Sequence, residues 1–199
     1  MNTAEQKLKE LNKNRNLQIV GDTKIRAEVS SLAKCYVMDE NEQITLLGDL
    51  WKKDTVLLVF LRHFACAACR AHVRQILENK ESLESKGVKI YFIGNGTPHF
   101  MRGFQEQFNL QEAKIFTDPS LKSFDAAGFK RGFWIDPGNM HTRPEFITQA
   151  IFHTMKKTGS GNVWQLGGIL AIQAGGKITY QYTSQTMDDH PPSKDIVVE

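Results

Sequence analysis

The 199-residue chain is poor in cysteine, has no long hydrophobic run and carries only a small surplus of one charge sign. Each absence excludes something. Three cysteines, one of them alone at Cys35, cannot build the disulfide framework that staples small secreted folds. No stretch approaches the roughly 20 apolar residues of a membrane-spanning helix. The first residues, M-N-T-A-E-Q-K-L-K-E-L, lack the hydrophobic region of a signal peptide. The 25 Lys and Arg against 22 Asp and Glu leave a net charge of +3, and the basic residues are dispersed apart from pairs such as Lys52-Lys53 and Lys156-Lys157. Bulk charge therefore points to neither nucleic acid nor a membrane as partner. Repeats and low-complexity segments are also missing. The expected location is cytoplasmic, a reducing compartment where a C-x-x-C pair suits catalysis or metal binding better than static bracing.

What is present is an ordinary globular composition, 41% apolar and 24% charged, sufficient for one domain with extensions. Its organising stretch is Thr55 to Val73, T-V-L-L-V-F-L-R-H-F-A-C-A-A-C-R-A-H-V. The apolar, partly β-branched opening reads as a strand buried on both faces. The residues after Cys66 read as a helix from about Ala67 to Asn79, with Val73, Ile76 and Leu77 as its core face. Cys66 and Cys69 thus fall where a central strand hands over to a helix. There backbone N–H groups and the positive end of the helix dipole favour a thiolate.

Residues 1–34 are polar and helix-prone, with Leu8 and Leu11 among few apolar positions, and are expected to form a helical extension on a domain spanning 35–199. Cys35 to Met38 and Gln43 to Leu47 flank a polar turn and suggest a strand pair. Val88 to Ile93 is a strand. Gly94-Asn95-Gly96-Thr97-Pro98 breaks it and opens a helix with Phe100, Phe104 and Phe108 on one face, a core stripe rather than a ligand wall. Lys114 to Thr117 is a strand, and Ser120 to Ala127 a helix ended by Gly128. This alternation implies parallel strands with helical crossovers. Residues 129–143 read as irregular, Glu145 to Lys156 as a helix, and 158–162 as a loop, together an insertion. Gly168 to Ala174 and Lys177 to Thr183 form a hairpin through Gly175-Gly176, a pair free to adopt positive φ. The fold class expected is α/β and thioredoxin-like, a central mixed sheet with flanking helices.

The spacing of Cys66 and Cys69 lets their sulfurs meet on the first helical turn. Cys66, the N-terminal and exposed thiol, is the expected nucleophile, and Cys69 the resolving thiol. Arg70, Arg62 and His63 supply nearby positive charge. Arg70 ranks first because it lies in the first turn, whereas Arg62 and His63 point to opposite faces of the strand end. No cofactor or metal is expected. His63, Cys66, Cys69 and His72 fall three apart and carry zinc-type donors, but one continuous segment wraps poorly into a tetrahedron, and His72 reads as a helix-surface residue. Cys35 reads as a buried strand residue, Asp189-His190 as a turn before Pro191-Pro192, and Trp134 and Trp164 as packing for the insertion. The rival from another class is a non-catalytic thioredoxin-fold binding module whose insertion at 129–162 contacts a protein or small ligand.

F-L-R-H-F-A-C-A-A-C-R and V-K-I-Y-F-I-G-N-G, with Thr117-Asp118-Pro119, Gln165-Leu166-Gly167-Gly168 and Asp189-His190-Pro191-Pro192 in order downstream, resemble the peroxiredoxin-like 2 family. That family lies within the alkyl hydroperoxide reductase and thiol-specific antioxidant group. The resemblance spans roughly residues 35–195. It implies a thioredoxin-like fold, a redox-active C-x-x-C, antioxidant or thiol-reductase activity on a disulfide or peroxide substrate, and a thioredoxin- or glutathione-type electron donor. One branch is linked to reduction of lipid endoperoxides. Peroxiredoxins carry P-x-x-x-[ST]-x-x-C at the peroxidatic cysteine; here Val59 and His63 stand at the proline and hydroxyl positions, so only weak peroxide turnover is expected. Gly167 and Gly168 stand where thioredoxins place a cis-proline. Either they leave backbone open to an incoming substrate, or they permit close packing of the strand against the cysteine turn.

Overall fold

The computed structural model describes residues 29–107, 109–110, 113–131, 159–185, 189–192 and 196. The expectations for Leu8, Leu11, Phe108, Trp134 and the 145–156 helix, and most of the insertion, lie outside the described residues. Among the described residues, seven strands form one sheet: β1 (Tyr36–Met38), β2 (Ile44–Leu46), β3 (Thr55–Phe60), β4 (Val88–Gly94), β5 (Lys114–Thr117), β6 (Gly168–Gln173) and β7 (Lys177–Thr183). Their spatial order is β2-β1-β5-β4-β3-β6-β7. β3, β4 and β5 run parallel, while β6 lies antiparallel to β3 and to β7. This is the mixed sheet of a thioredoxin-like α/β fold.

β3 takes its central place because both of its faces are apolar. Leu57, Val59 and Leu61 pack into one cluster, Val56, Leu58 and Phe60 into the other, all almost wholly buried. Burying each such side chain contributes about 1.5–3 kcal/mol before entropy is counted. The first cluster is closed by α1 (Ala67–Glu78) and α3 (Pro98–Gln107), through Val73, Ile76, Met101 and Phe104. The second is closed by the segment 29–35, the 3-10 helix Leu47–Trp51 and α4 (Lys122–Ala126), through Val29, Leu32, Trp51 and Phe124. α2 (Lys80–Glu84) follows α1 through Asn79. The hairpin glycines have φ of 86° and 97°, values that favour glycine. Among the described residues, no helix is long and apolar enough to cross a membrane.

α4 begins later than Ser120. The buried Asp118 carboxylate accepts from Ser120 N at 3.0 Å and from Ser123 N at 2.8 Å and Ser123 Oγ at 2.6 Å. Leu121, with φ 62°, is left-handed and cannot belong to the helix. Asp118→Ala strands the two buried Ser123 donors, whereas Ser120 N can turn to water. Urea denaturation should show a loss of about 2–4 kcal/mol, and Asp118→Asn a smaller one.

Candidate functional site

The site lies at the carboxyl ends of β3 and β4, where open α/β sheets place their clefts. After Phe60 the chain leaves the ladder: Leu61 N still donates to Ile93 O at 2.7 Å, and residues 62–65 turn back until Cys66 N donates to His63 O at 3.1 Å. Cys66 is the N-cap of α1. Its sulfur accepts from Cys69 N at 3.4 Å, and Arg62 Nη1 donates to it at 3.6 Å. Both thiols are free and both are buried, Cys66 with 6% of its surface exposed and Cys69 with none. The expectation of an exposed nucleophile is therefore corrected: Cys66 is buried.

Their electrostatics differ. The Cys69 thiol hydrogen-bonds to the Cys66 sulfur and, with the Arg62 charge and the Cys69 N–H, holds Cys66 down at about 6 against the opposing effect of burial. Burial, followed by the neighbouring Cys66 sulfur, pushes Cys69 well above the ordinary thiol value. At neutral pH the pair is one thiolate and one thiol.

The ranking of the basic residues is reversed. Arg62, not Arg70, reaches the sulfur, and its guanidinium is held in place by main-chain carbonyls: Nη2 donates to Val163 O at 2.6 Å and Nε to Gln165 O at 3.3 Å. Neutral carbonyls orient the cation without cancelling its charge. The Arg70 charge falls instead on His63. His63 does not supply positive charge: burial, then Arg62 and Arg70, hold it down at about 3, so the imidazole is neutral at physiological pH.

Gly167 and Gly168 are not open backbone. A Cβ on Gly167 would lie 2.2 Å from Phe60 O, and one on Gly168 would lie 2.2 Å from the Phe129 ring and 2.4 Å from Tyr182 O. Gly168 also pairs with both Phe60 and Thr183 in the sheet. Close packing is the reading the geometry favours.

His72 is not a surface residue. It is buried and stacks on His190 with ring centroids 4.3 Å apart, because the C-terminal segment returns to α1. Asp189 accepts from the Tyr182 hydroxyl and from Gln185 N at 2.7 Å, which fixes that segment to the end of β7. Cys35 precedes β1, is half-buried and donates to Ser31 O at 3.5 Å, on the sheet face opposite Cys66. Trp164 is 40% exposed. Among the described residues, no group of three or more His, Cys, Asp or Glu is placed to hold a metal ion.

Two residues that the sequence reading does not assign to the site complete it. Gln165 is wholly buried, accepts from Arg131 Nε at 3.1 Å and donates to Lys130 O and Leu166 O. Asn95 donates to the main-chain carbonyl of Arg62. The local signal for Asn95 in the sequence is its place between two glycines at a strand end. A Cβ on Gly94 would strike the Phe64 ring and one on Gly96 the Ser160 carbonyl, so backbone segments meet closely there.

Comparisons with known proteins agree with this architecture. The chain is 27% identical over 180 residues to a thioredoxin-like protein AAED1, chloroplastic, of Arabidopsis thaliana, covering 86% of this chain and 72% of that one. It is 28% identical over 158 residues to a prostamide/prostaglandin F synthase of Xenopus tropicalis, covering 76% of each chain. Against a human peroxiredoxin-like 2C it is 24% identical over 177 residues, covering 84% and 78%. The fold matches the crystal structure of reduced Prx3 from Vibrio vulnificus with a TM-score of 0.59 at 15% identity, covering 80% of this chain and 88% of that one. The sequence pattern of the AhpC/TSA antioxidant enzymes matches residues 75–186, beginning just downstream of both cysteines. The chain belongs to the AhpC/TSA family, among its peroxiredoxin-like, thioredoxin-fold members.

Proposed function

We propose that the protein is a thiol–disulfide oxidoreductase in which Cys66 is the nucleophile and Cys69 the resolving thiol. The family supports a redox or antioxidant role and, generally, thiol reductants and peroxide substrates. The observation that carries the finer reading is the Cys66 sulfur at the start of α1, within hydrogen-bond reach of Cys69 N and Arg62 Nη1. A thiolate held at about 6 is almost fully ionised at neutral pH, and the thiolate is the attacking species.

With a disulfide substrate, the Cys66 thiolate attacks one sulfur. The substrate S–S bond breaks, a mixed disulfide forms on Cys66, and the first substrate thiolate leaves and takes a proton. Cys69 then gives up its proton and attacks the Cys66 sulfur, releasing the second substrate thiol and leaving a Cys66–Cys69 disulfide. Formation of the mixed disulfide removes the Cys66 negative charge, one of the effects that keep Cys69 protonated. With a hydroperoxide, Cys66 attacks the terminal oxygen, the O–O bond breaks and an alcohol leaves. Cys69 then condenses with the Cys66 sulfenic acid to release water. A thioredoxin- or glutathione-type thiol returns the disulfide to the dithiol.

The disulfide route suits this site better. Val59 is a ladder residue paired with both Phe92 and Ile169, a position that a proline would disrupt, and His63 offers no hydroxyl. A reducing compartment such as the cytoplasm would keep the pair in its reduced form.

Trapping tests the reading. Incubated with Ellman's reagent, or with a hydroperoxide, the Cys69→Ser protein should retain a mixed disulfide, or a sulfenate, on Cys66 by mass spectrometry. The unaltered protein should instead end as a Cys66–Cys69 disulfide with no retained adduct. Absence of any Cys66 adduct in Cys69→Ser across several oxidants would refute the assignment.

A further inference from the structure

Asn95, in the turn after β4, is 3% exposed and makes two hydrogen bonds of opposite polarity. Its Nδ2 donates to the main-chain carbonyl of Arg62, and its Oδ1 accepts from Asn162 N at 2.6 Å. Asn162 opens the turn that holds the Arg62 head group. Its carbonyl accepts from Gln165 N at 3.2 Å, and its Oδ1 accepts from Trp164 N at 2.9 Å. That turn presents the Val163 and Gln165 carbonyls on which the guanidinium rests. One amide therefore joins both ends of the Arg62 side chain: the main chain from which it starts and the turn on which it lands.

The local backbone is shaped to admit this amide. Gly161 has φ 114°, and a Cβ there would lie 2.2 Å from Asn95 Oδ1. Of the small polar side chains, asparagine presents a donor and an acceptor in one plane, which both contacts require; aspartate could not donate to the Arg62 carbonyl.

We propose that Asn95 is a positioning residue for Cys66, clamping the Arg62 main chain to the 162–165 turn so that one guanidinium rotamer faces the sulfur. The proposal rests on the reading of Cys66 as the nucleophile. Its physical basis is that an arginine released from such a clamp regains several rotamers, and a charge that swings away from a thiolate loses influence steeply with distance.

The test is the pH midpoint of Cys66 alkylation in the full-length protein, Asn95→Ala, Arg62→Met and the double variant. Asn95→Ala should raise the midpoint by ~1 pH unit. The same substitution made on top of Arg62→Met should add no further shift, because its route to the sulfur has gone. Asn95→Ser, which keeps a polar group but not both contacts, is the alternative if the alanine protein does not fold, and the same rise is expected. A folded Asn95 variant with an unchanged midpoint, or an equal rise in the Arg62→Met background, overturns the proposal. A midpoint in the ordinary thiol range for the unaltered protein would instead overturn the assignment of Cys66, a distinct result because the Asn95 effect is read as a difference.

Discussion

Arg62→Met should raise the pH midpoint of Cys66 alkylation from about 6 by roughly one to two units. The sign follows from the charge: a lost cation makes the thiolate harder to form. The rise stops short of the ordinary thiol value because the larger effect, the Cys69 hydrogen bond, survives the substitution. The rate consequence has two parts. At pH 6 the thiolate fraction falls by roughly five- to fiftyfold, while the more basic thiolate is roughly three- to tenfold more nucleophilic, with a Brønsted slope near 0.5. Alkylation at pH 6 should therefore slow by only about two- to fivefold, and the plateau above pH 9 should rise. Stopped-flow alkylation across pH checks both. Crossing profiles identify an electrostatic role, whereas a merely disordered site would change the rate in one direction throughout. Arg62→Lys should give an intermediate shift, since it keeps the charge but loses the fork that spans Val163 and Gln165.

The same polarisation acts on the redox equilibrium. At pH 7 a thiol held at about 6 rather than 9 stabilises the reduced protein by about 1.4 kcal/mol, or about 30 mV for a two-electron couple. Cys69, raised above its ordinary value, is protonated at pH 7 in either case and adds nothing. The pair is thus more oxidising than the same cysteines would be with ordinary ionisation. In the proposed cycle this favours return of the Cys66–Cys69 disulfide to the dithiol by a donor thiol.

How much of this the sequence disclosed depends on how far each interaction reaches along the chain. β3, α1 and the cysteine junction were legible because an apolar run and a helical period are local patterns, and the Gly175-Gly176 hairpin was legible for the same reason. In the sequence Arg70 ranks above Arg62 because it falls in the first helical turn beside both thiols, although each arginine is four residues from Cys66. What decides between them is a pair of carbonyls about a hundred residues away, and no local pattern announces that Val163 and Gln165 will face Arg62. His72 was misplaced for a similar reason. Its helix position looks solvent-facing until the segment around His190 returns across α1. Asn95 has a visible place between two glycines, but its partners, the Arg62 carbonyl and Asn162 N, come from the neighbouring strand end and the same distant turn.

Those non-local contacts bury two neutral histidines, and this sets the behaviour in acid. Between pH 7.5 and pH 5 the reduced protein should lose several kcal/mol of stability. His63 and His72 are each held at about 3, His63 by burial and then Arg62 and Arg70, His72 by burial and then His190. Their folded values lie below the ordinary 6.5, so the unfolded chain takes up protons first as pH falls. The stability they contribute is complete above about 6.5 and disappears as pH drops toward about 3, at about 1.4 kcal/mol per pH unit for each histidine. At pH 5 that amounts to about 2 kcal/mol apiece. Cys66 works in the same direction over a higher window: its folded value is depressed from 9.0, so its contribution builds between about 6 and 9 and is lost as pH falls through about 6. Urea denaturation at pH 5, 6, 7 and 8 measures the total. His72→Phe keeps a flat ring against His190 and removes one titrating group, so it should flatten the acid slope by about 1.4 kcal/mol per pH unit below pH 6. An unchanged slope in a folded His72→Phe protein would show that His72 is not buried as the neutral imidazole.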